Sequence, residues 1–103
     1  MTPDIFEALA NPIRRQLLAH LRQGPRPVKQ LAAPFDLGRP AISAHLRILR
    51  EAGLVYEEWR GRENFYHLDP RPLSTVRDWL AEYDTFWSDK LNNLSHLLDE
   101  DNP

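Results

Sequence analysis

A chain of 103 residues with 42% apolar residues is the size of one small globular domain with a modest core. It has no apolar run near the ~20 residues of a membrane span, its opening MTPDIFEALANP lacks the basic flank of a secretory signal, and its lack of cysteine excludes disulfides, thiolate metal sites and thiol redox sensing. The expected location is therefore the cytoplasm. A net charge of −2 hides a division: residues 12–50 carry eight Lys/Arg against Asp36 alone, giving +7, while the remainder carries five bases and fourteen acids, giving −9. A basic block of this kind suits a polyanion, although a solvated charged face would also look this way.

Along the chain, Asp4 to Ala10 predicts a short helix with Ile5, Phe6 and Leu9 on one side. Asn11-Pro12 reads as an N-cap followed by a first-turn proline, which restarts the helix. Ile13, Leu17, Leu18 and Leu21 supply its buried stripe, and Gly24-Pro25 stops it. Val28 to Ala33 predicts a third short helix, and Pro34 with Asp36-Leu37-Gly38 turns into a fourth, a helix-turn-helix arrangement. In this fourth helix, over 40–52, Ile42, Leu46 and Leu49 form an apolar stripe at i, i+4, i+7, and Gly53 is a left-handed C-cap. Opposite that stripe, Ser43, Ala44 and Arg47 follow Pro40, groups small or cationic enough to approach base edges and phosphates. An ordinary amphipathic helix with a solvated arginine face remains the alternative.

A hairpin follows over 54–68: Leu54 to Trp59, a Gly-containing loop at Arg60-Gly61-Arg62, and a return from Asn64 to Leu68. Val55, Tyr56, Trp59, Phe65 and Tyr66 provide strand-forming bulk. A hairpin after a helix-turn-helix is a wing, and arginines at its tip suit phosphates or a narrow minor groove. Asp69-Pro70-Arg71-Pro72 then breaks the chain before a long last helix over 72–98. Leu73, Val76, Leu80, Tyr83, Trp87, Leu91, Leu94 and Leu98 make a near-heptad seam there, widened by Trp79, Phe86 and Leu97. That is more apolar area than so small a core can cover, so the helix is expected to pack against a second copy. Residues 99–103 form an acidic tail.

Enzymatic chemistry finds little support. His20, His45, His67 and His96 lack the spacing of a zinc site, and His67, Asp84, Asp89 and His96 could meet only across a dimer. No nucleophile elbow, P-loop or dinucleotide fingerprint is present, and Ser43 has no adjacent base. The expectation is a non-enzyme with no metal and no cofactor. His45, toward the apolar edge of its helix, is a packing or phosphate-contacting residue.

The segment from about residue 5 to 70 resembles the ArsR-type winged helix-turn-helix repressors. Its most specific match is Ser43-x-His45-Leu46-x-x-Leu49-x-x-Ala52-Gly53-Leu54-Val55, followed by Leu9-Ala10-x-Pro12-x-Arg14 and the wing Arg60-Gly61-Arg62. Trp79-Leu80 and Tyr83-x-x-Phe86-Trp87 are similar to the metal-independent, SdpR-like autorepressor branch. The resemblance implies a mostly helical winged fold with a small β-hairpin. It also implies a homodimer joined through the terminal helices by Ile5, Phe6, Leu9, Leu73, Val76, Trp79, Leu80, Tyr83, Phe86, Trp87, Leu91 and Leu94.

Metal-sensing members carry a Cys-x-Cys pair where this chain has Lys29-Gln30-Leu31-Ala32-Ala33, so metal sensing is not implied. Arg39 stands where a Ser or Thr N-cap is usual. The reading is a double-stranded DNA operator, pseudo-palindromic, contacted at its bases by Arg39, Pro40, Ser43, Ala44 and Arg47. Lys29, His45, Arg50, Arg60 and Arg62 are assigned to the backbone or minor groove. The alternative is a winged protein-interaction module that has lost DNA binding.

Overall fold

The computed structural model describes residues 3–90 and 93. Helix α1 (Ile5–Leu9) starts where the Asp4 carboxylate accepts from the Glu7 N–H at 2.8 Å. Helix α2 (Pro12–Leu21) starts at Asn11, whose Oδ1 accepts from the N–H groups of Ile13 at 2.8 Å and Arg14 at 3.3 Å. Strand β1 (Arg26–Pro27) leads into α3 (Val28–Ala32). Helix α4 (Arg39–Glu51), strands β2 (Val55–Arg60) and β3 (Glu63–Leu68), and helix α5 (Leu73–Ala81) complete the order.

The periodic leucines meet as their spacing requires. Leu17, Leu31, Ile42, Leu46, Leu49 and Leu54 are fully buried, joining α2, α3, α4 and the entrance to β2 in one core. The end of α4 is a Schellman turn. Gly53 takes φ +80° and its N–H bonds the Arg50 carbonyl at 2.9 Å, while the Leu54 N–H reaches back to the Leu49 carbonyl at 2.9 Å. Leu49 and Leu54 are both buried, so this turn also carries the accompanying apolar contact.

The structure departs from the sequence expectations at five places. Strand β1 was not expected: Arg26 and Pro27, which follow Pro25, lie extended and pair antiparallel with Tyr66 and Phe65 of β3, giving a three-stranded sheet ordered β1-β3-β2. Proline favours extended backbone before it and is tolerated on a sheet edge, which is where β1 lies.

The wing loop is two residues long, not three. Arg60 pairs with Glu63 in the ladder, leaving Gly61-Arg62 as the turn, and Gly61 supplies φ +62° at its first central position as a type II′ turn requires. The N-cap of α4 is Gly38, with no side-chain cap, so Arg39 is the first helical residue instead of the cap.

Ile5 lies in the protomer's own core, and Leu9, Leu73 and Val76 pack partly against it, which removes Ile5 from any surface left for a partner. Finally, the last helix is interrupted. Glu82 and Tyr83 form a turn, with Glu82 N–H bonded to Trp79 O at 3.3 Å and Tyr83 N–H to Leu80 O at 3.0 Å, before residues 84–90 become helical again. Leu73 and Val76, at the start of α5, pack partly against the core, whereas Leu80 and Tyr83 beside the turn are exposed, so the turn can tighten without disturbing that packing. Leu91, Leu94, Leu97, Leu98, His96 and the acidic tail lie outside the described residues.

Candidate nucleic-acid interface

Helix α4 presents two faces, as its pattern demands. Ile42, Leu46 and Leu49 are buried, whereas Arg39, Pro40, Ser43, Ala44 and Arg47 are all exposed on the opposite side. Pro40, Ser43, Ala44 and Arg47 line a shallow trough with Ile48 and Glu51. The small side chains at its middle leave the helix backbone close to the surface, the condition for entry into a major groove. Arg47 Nε bonds Glu51 Oε1 at 3.1 Å, an exposed i, i+4 pair of the kind that contributes little to stability. Its guanidinium can therefore exchange that partner for a guanine edge or a phosphate at small cost.

Three cations of the basic block serve helix ends. Arg14 and Arg15, on the first turn of α2, close off the carbonyl end of α1: Arg14 donates to the carbonyls of Ala8 (2.7 Å) and Glu7 (3.0 Å), and Arg15 to that of Leu9 (2.6 Å). Arg26 does the same for α2, donating to the His20 carbonyl at 3.3 Å and to Gln23 Oε1 at 2.9 Å. These arginines satisfy the orphan acceptors of helix ends and interact with the negative pole of each helix. Lys29, Arg39 and Arg62 have no hydrogen-bond or ion-pair partner among the described residues, and all three border one groove between the wing and the starts of α3 and α4.

Three residues assigned to the DNA backbone are engaged within the protein. Arg50 is bonded to the Glu57 carboxylate of β2, and Glu57 also accepts from Asn64 Nδ2 at 2.7 Å. Burial would push the Glu57 carboxyl up, but the hydrogen bonds from Arg50 and Asn64 outweigh it and hold the group below its ordinary range. Arg50 thus ties the recognition helix to the wing. Arg60 bonds Glu58 at 2.7 Å and lies over the Phe65 ring at 4.3 Å, on the strand instead of the loop tip.

His45 is half-buried, with its Nδ1 3.2 Å from Arg14 Nη1. A guanidinium has no acceptor, so Nδ1 accepts and the imidazole proton sits on Nε2. Burial, reinforced by the nearby Arg14 charge, lowers the His45 pKa below its ordinary value, which makes it a neutral packing residue. Of the two roles expected for it, packing is the one its surroundings support.

Trp59 is the residue at this surface that sequence reasoning missed. Counted as strand-forming bulk, its side chain is instead 66% exposed and borders the same groove as Lys29, Arg39 and Arg62. Only its position in the ladder, two residues on from Glu57 and on the same face, could have signalled this in advance.

A second exposed surface lies on α1 and α5. Phe6 meets Trp79 edge to face at 5.6 Å, and Trp79 meets Tyr83 at 5.4 Å. Phe6 on α1, Trp79 and Leu80 on α5, and Tyr83, Phe86 and Trp87 beyond it are all large and exposed, apolar area that water does not favour. Among the described residues, no group of three His, Cys, Asp or Glu side chains gathers in metal-binding geometry. No described helix is long and apolar enough to cross a membrane.

Comparison with known proteins agrees with this geometry. Residues 11–57 match the family model described as bacterial regulatory protein, arsR family. An HTH-type transcriptional regulator of Mycobacterium tuberculosis is 36% identical over 101 residues, covering 97% of this chain and 92% of that protein. The transcriptional repressor SdpR of Bacillus subtilis is 29% identical over 80 residues, covering 78% of this chain and 89% of that protein. Among solved structures, an ArsR family transcriptional regulator superposes with a TM-score of 0.74 at 37% identity, over 82% of this chain and 92% of the other. A homodimeric winged helix-turn-helix DNA-binding domain of Mycobacterium bovis superposes with a TM-score of 0.61 at 30% identity, over 74% and 73% of the two chains.

Proposed function

Because this chain belongs to the ArsR family of bacterial transcriptional regulators and has its winged helix-turn-helix fold, we propose that it is a homodimeric, sequence-specific DNA-binding repressor acting in the cytoplasm. The observation that carries this reading is the exposed face of α4. Pro40, Ser43, Ala44 and Arg47 form an open trough there, and the partner-free cations Lys29, Arg39 and Arg62 stand beside it. Set in a major groove, Arg47 and Arg39 are the groups for guanine edges, and Ala44 and Pro40 for thymine methyls. Lys29 and Arg62 serve phosphates or the adjoining minor groove.

The likeness to SdpR, a transcriptional repressor, supports repression. The absence of cysteine from the chain is in keeping with a metal-independent member, and autoregulation is the circuit we assign to it. The homodimeric winged domain of Mycobacterium bovis supports pairing of two copies, and the exposed Phe6 of α1, Trp79 and Leu80 of α5, and Tyr83, Phe86 and Trp87 beyond it are the surface assigned to that pairing. Two copies related by a dyad place two α4 helices in successive major grooves about 34 Å apart, which calls for a pseudo-palindromic operator. The relatives named as transcriptional regulators support reading the protein as a regulator and not an enzyme.

The test is a gel shift of the purified protein on its own upstream region with scrambled competitor at near-physiological salt. A discrete, competitor-resistant shift is expected. Arg47→Ala is expected to weaken it by about 1–3 kcal/mol, the value of one bidentate base contact. Retention of full affinity by Arg47→Ala would remove Arg47 from base reading. Failure of the wild-type protein to shift DNA even at low salt would overturn the DNA-binding reading itself.

A further inference from the structure

Resting on the DNA-binding reading above, we propose that Trp59 is a DNA-contacting residue, its indole lying along the sugar–phosphate strand that runs between the wing and the starts of α3 and α4. The ladder sets its direction. Trp59 stands opposite Asn64, and alternation puts this pair on the same sheet face as Glu57 and Tyr66. Tyr66 is buried in the core and Glu57 holds Arg50 of α4, so that face is the one turned toward the helices. Trp59 continues it outward past the end of the core.

Its surroundings are unusual in two ways. At 66%, it is the most exposed large apolar side chain among the described residues. The other exposed aromatic rings each have a ring partner: Phe6 and Tyr83 with Trp79, Phe86 with Trp87, and Tyr56 stacked on His67 at 4.9 Å. Trp59 has none among the described residues. It instead walls a groove of about 550 Å³ whose rim carries Lys29, Arg39 and Arg62 against the single carboxylate of Glu63.

A flat apolar ring among uncommitted cations matches a ligand that alternates anionic groups with apolar ring faces. The DNA backbone is such a ligand: its phosphates are matched by Lys29 and Arg62, its deoxyribose faces by the indole, and Arg39 on the same rim is left for the adjoining base edges. An acidic peptide would satisfy the cations but leave the ring uncovered, and an apolar partner surface would leave the cations unpaired in a desolvated groove.

The experiment measures binding of the full-length protein to a fluorescein-labelled 30-base-pair mixed-sequence duplex by anisotropy across a salt series. Trp59→Ala is expected to bind about tenfold more weakly, the effect of uncovering part of one aromatic face. The loss should be equal at every salt concentration, because no ion is released by an apolar contact. Trp59→Phe should recover most of the affinity. Arg62→Ala should instead reduce the salt slope by about 0.9, the share of one phosphate.

A second readout needs no destabilising change. In wild-type protein labelled with 5-fluorotryptophan, the fluorine resonance that is lost in Trp59→Phe should shift when the duplex is added. If Trp59→Ala binds as tightly as wild type while Arg62→Ala is weakened, or if that resonance does not move on saturation, the Trp59 contact is overturned and the DNA-binding reading stands. If the wild-type protein does not hold the duplex at all, both fall.

Discussion

Arg14 connects three parts of the molecule through one guanidinium. It closes the carbonyl end of α1, is anchored on the first turn of α2, and donates to His45 on the recognition helix. The His45 end of this link requires a neutral imidazole. Burial and the Arg14 charge lower its folded pKa below the ordinary 6.5, so the unfolded chain takes up the proton first on acidification. The stability due to neutral His45 is thus fully present above pH 6.5 and is lost as pH falls below it toward the folded value. His45→Gln keeps an acceptor but does not titrate. Urea unfolding at pH 7.5 and 5.5 should show a smaller acid loss for His45→Gln than for the wild type; equal losses would mean that His45 is not the titrating group. At this scale, the candidate base contacts were legible because exposure on α4 follows directly from a 3.6-residue period. The engagement of Arg50 and His45 was not legible, since Glu57 and Arg14 come within reach only after the hairpin and α2 dock. Arg60–Glu58, by contrast, is a local i, i+2 pair on one strand, missed because Arg60 was placed in the loop instead.

Among the elements, those that end on local chemistry were read correctly. Asn11-Pro12 opens α2, and Gly53 closes α4, because each cap is set by neighbours within a few residues. Gly53 is needed for its backbone and not for space: a Cβ there would meet only Pro72 Cγ, at an ordinary 3.6 Å, whereas φ +80° is disfavoured for any L side chain. Gly53→Ala should therefore cost about 1–2 kcal/mol, seen as a lower melting temperature, with no change in the fold by circular dichroism. An unchanged melting temperature would show that the turn can relax without glycine. Elements that depend on distant partners were missed. Strand β1 exists only because Tyr66 and Phe65 of β3 lie alongside Arg26 and Pro27. The interruption at Glu82 and Tyr83 falls where the helix is exposed among the described residues, a local tightening that a continuous heptad-like pattern cannot reveal.

For the whole molecule, the division of charge corresponds to a division of labour. The cations Lys29, Arg39 and Arg62, partner-free among the described residues, gather between α3, α4 and the wing, while the exposed aromatic surface lies on α1, α5 and residues 83–87. Arg14 links α1 to the recognition helix, and the Arg50–Glu57–Asn64 group links that helix to the wing, so the pairing of two copies through α1 would set where both recognition helices and both wings stand. Leu80→Glu, which places a carboxylate on the exposed α5 face away from the core, should raise the dimer dissociation constant on the order of 30-fold or more. Analytical ultracentrifugation reads this directly, and a variant that remains as dimeric as wild type would locate the interface elsewhere. The central claim, that a symmetric dimer reads two successive major grooves with its α4 helices, is tested most directly by hydroxyl-radical footprinting on the upstream region. Two protected patches on one face of the duplex, centred about ten base pairs apart, are expected. A single patch, or uniform protection without periodicity, would contradict it.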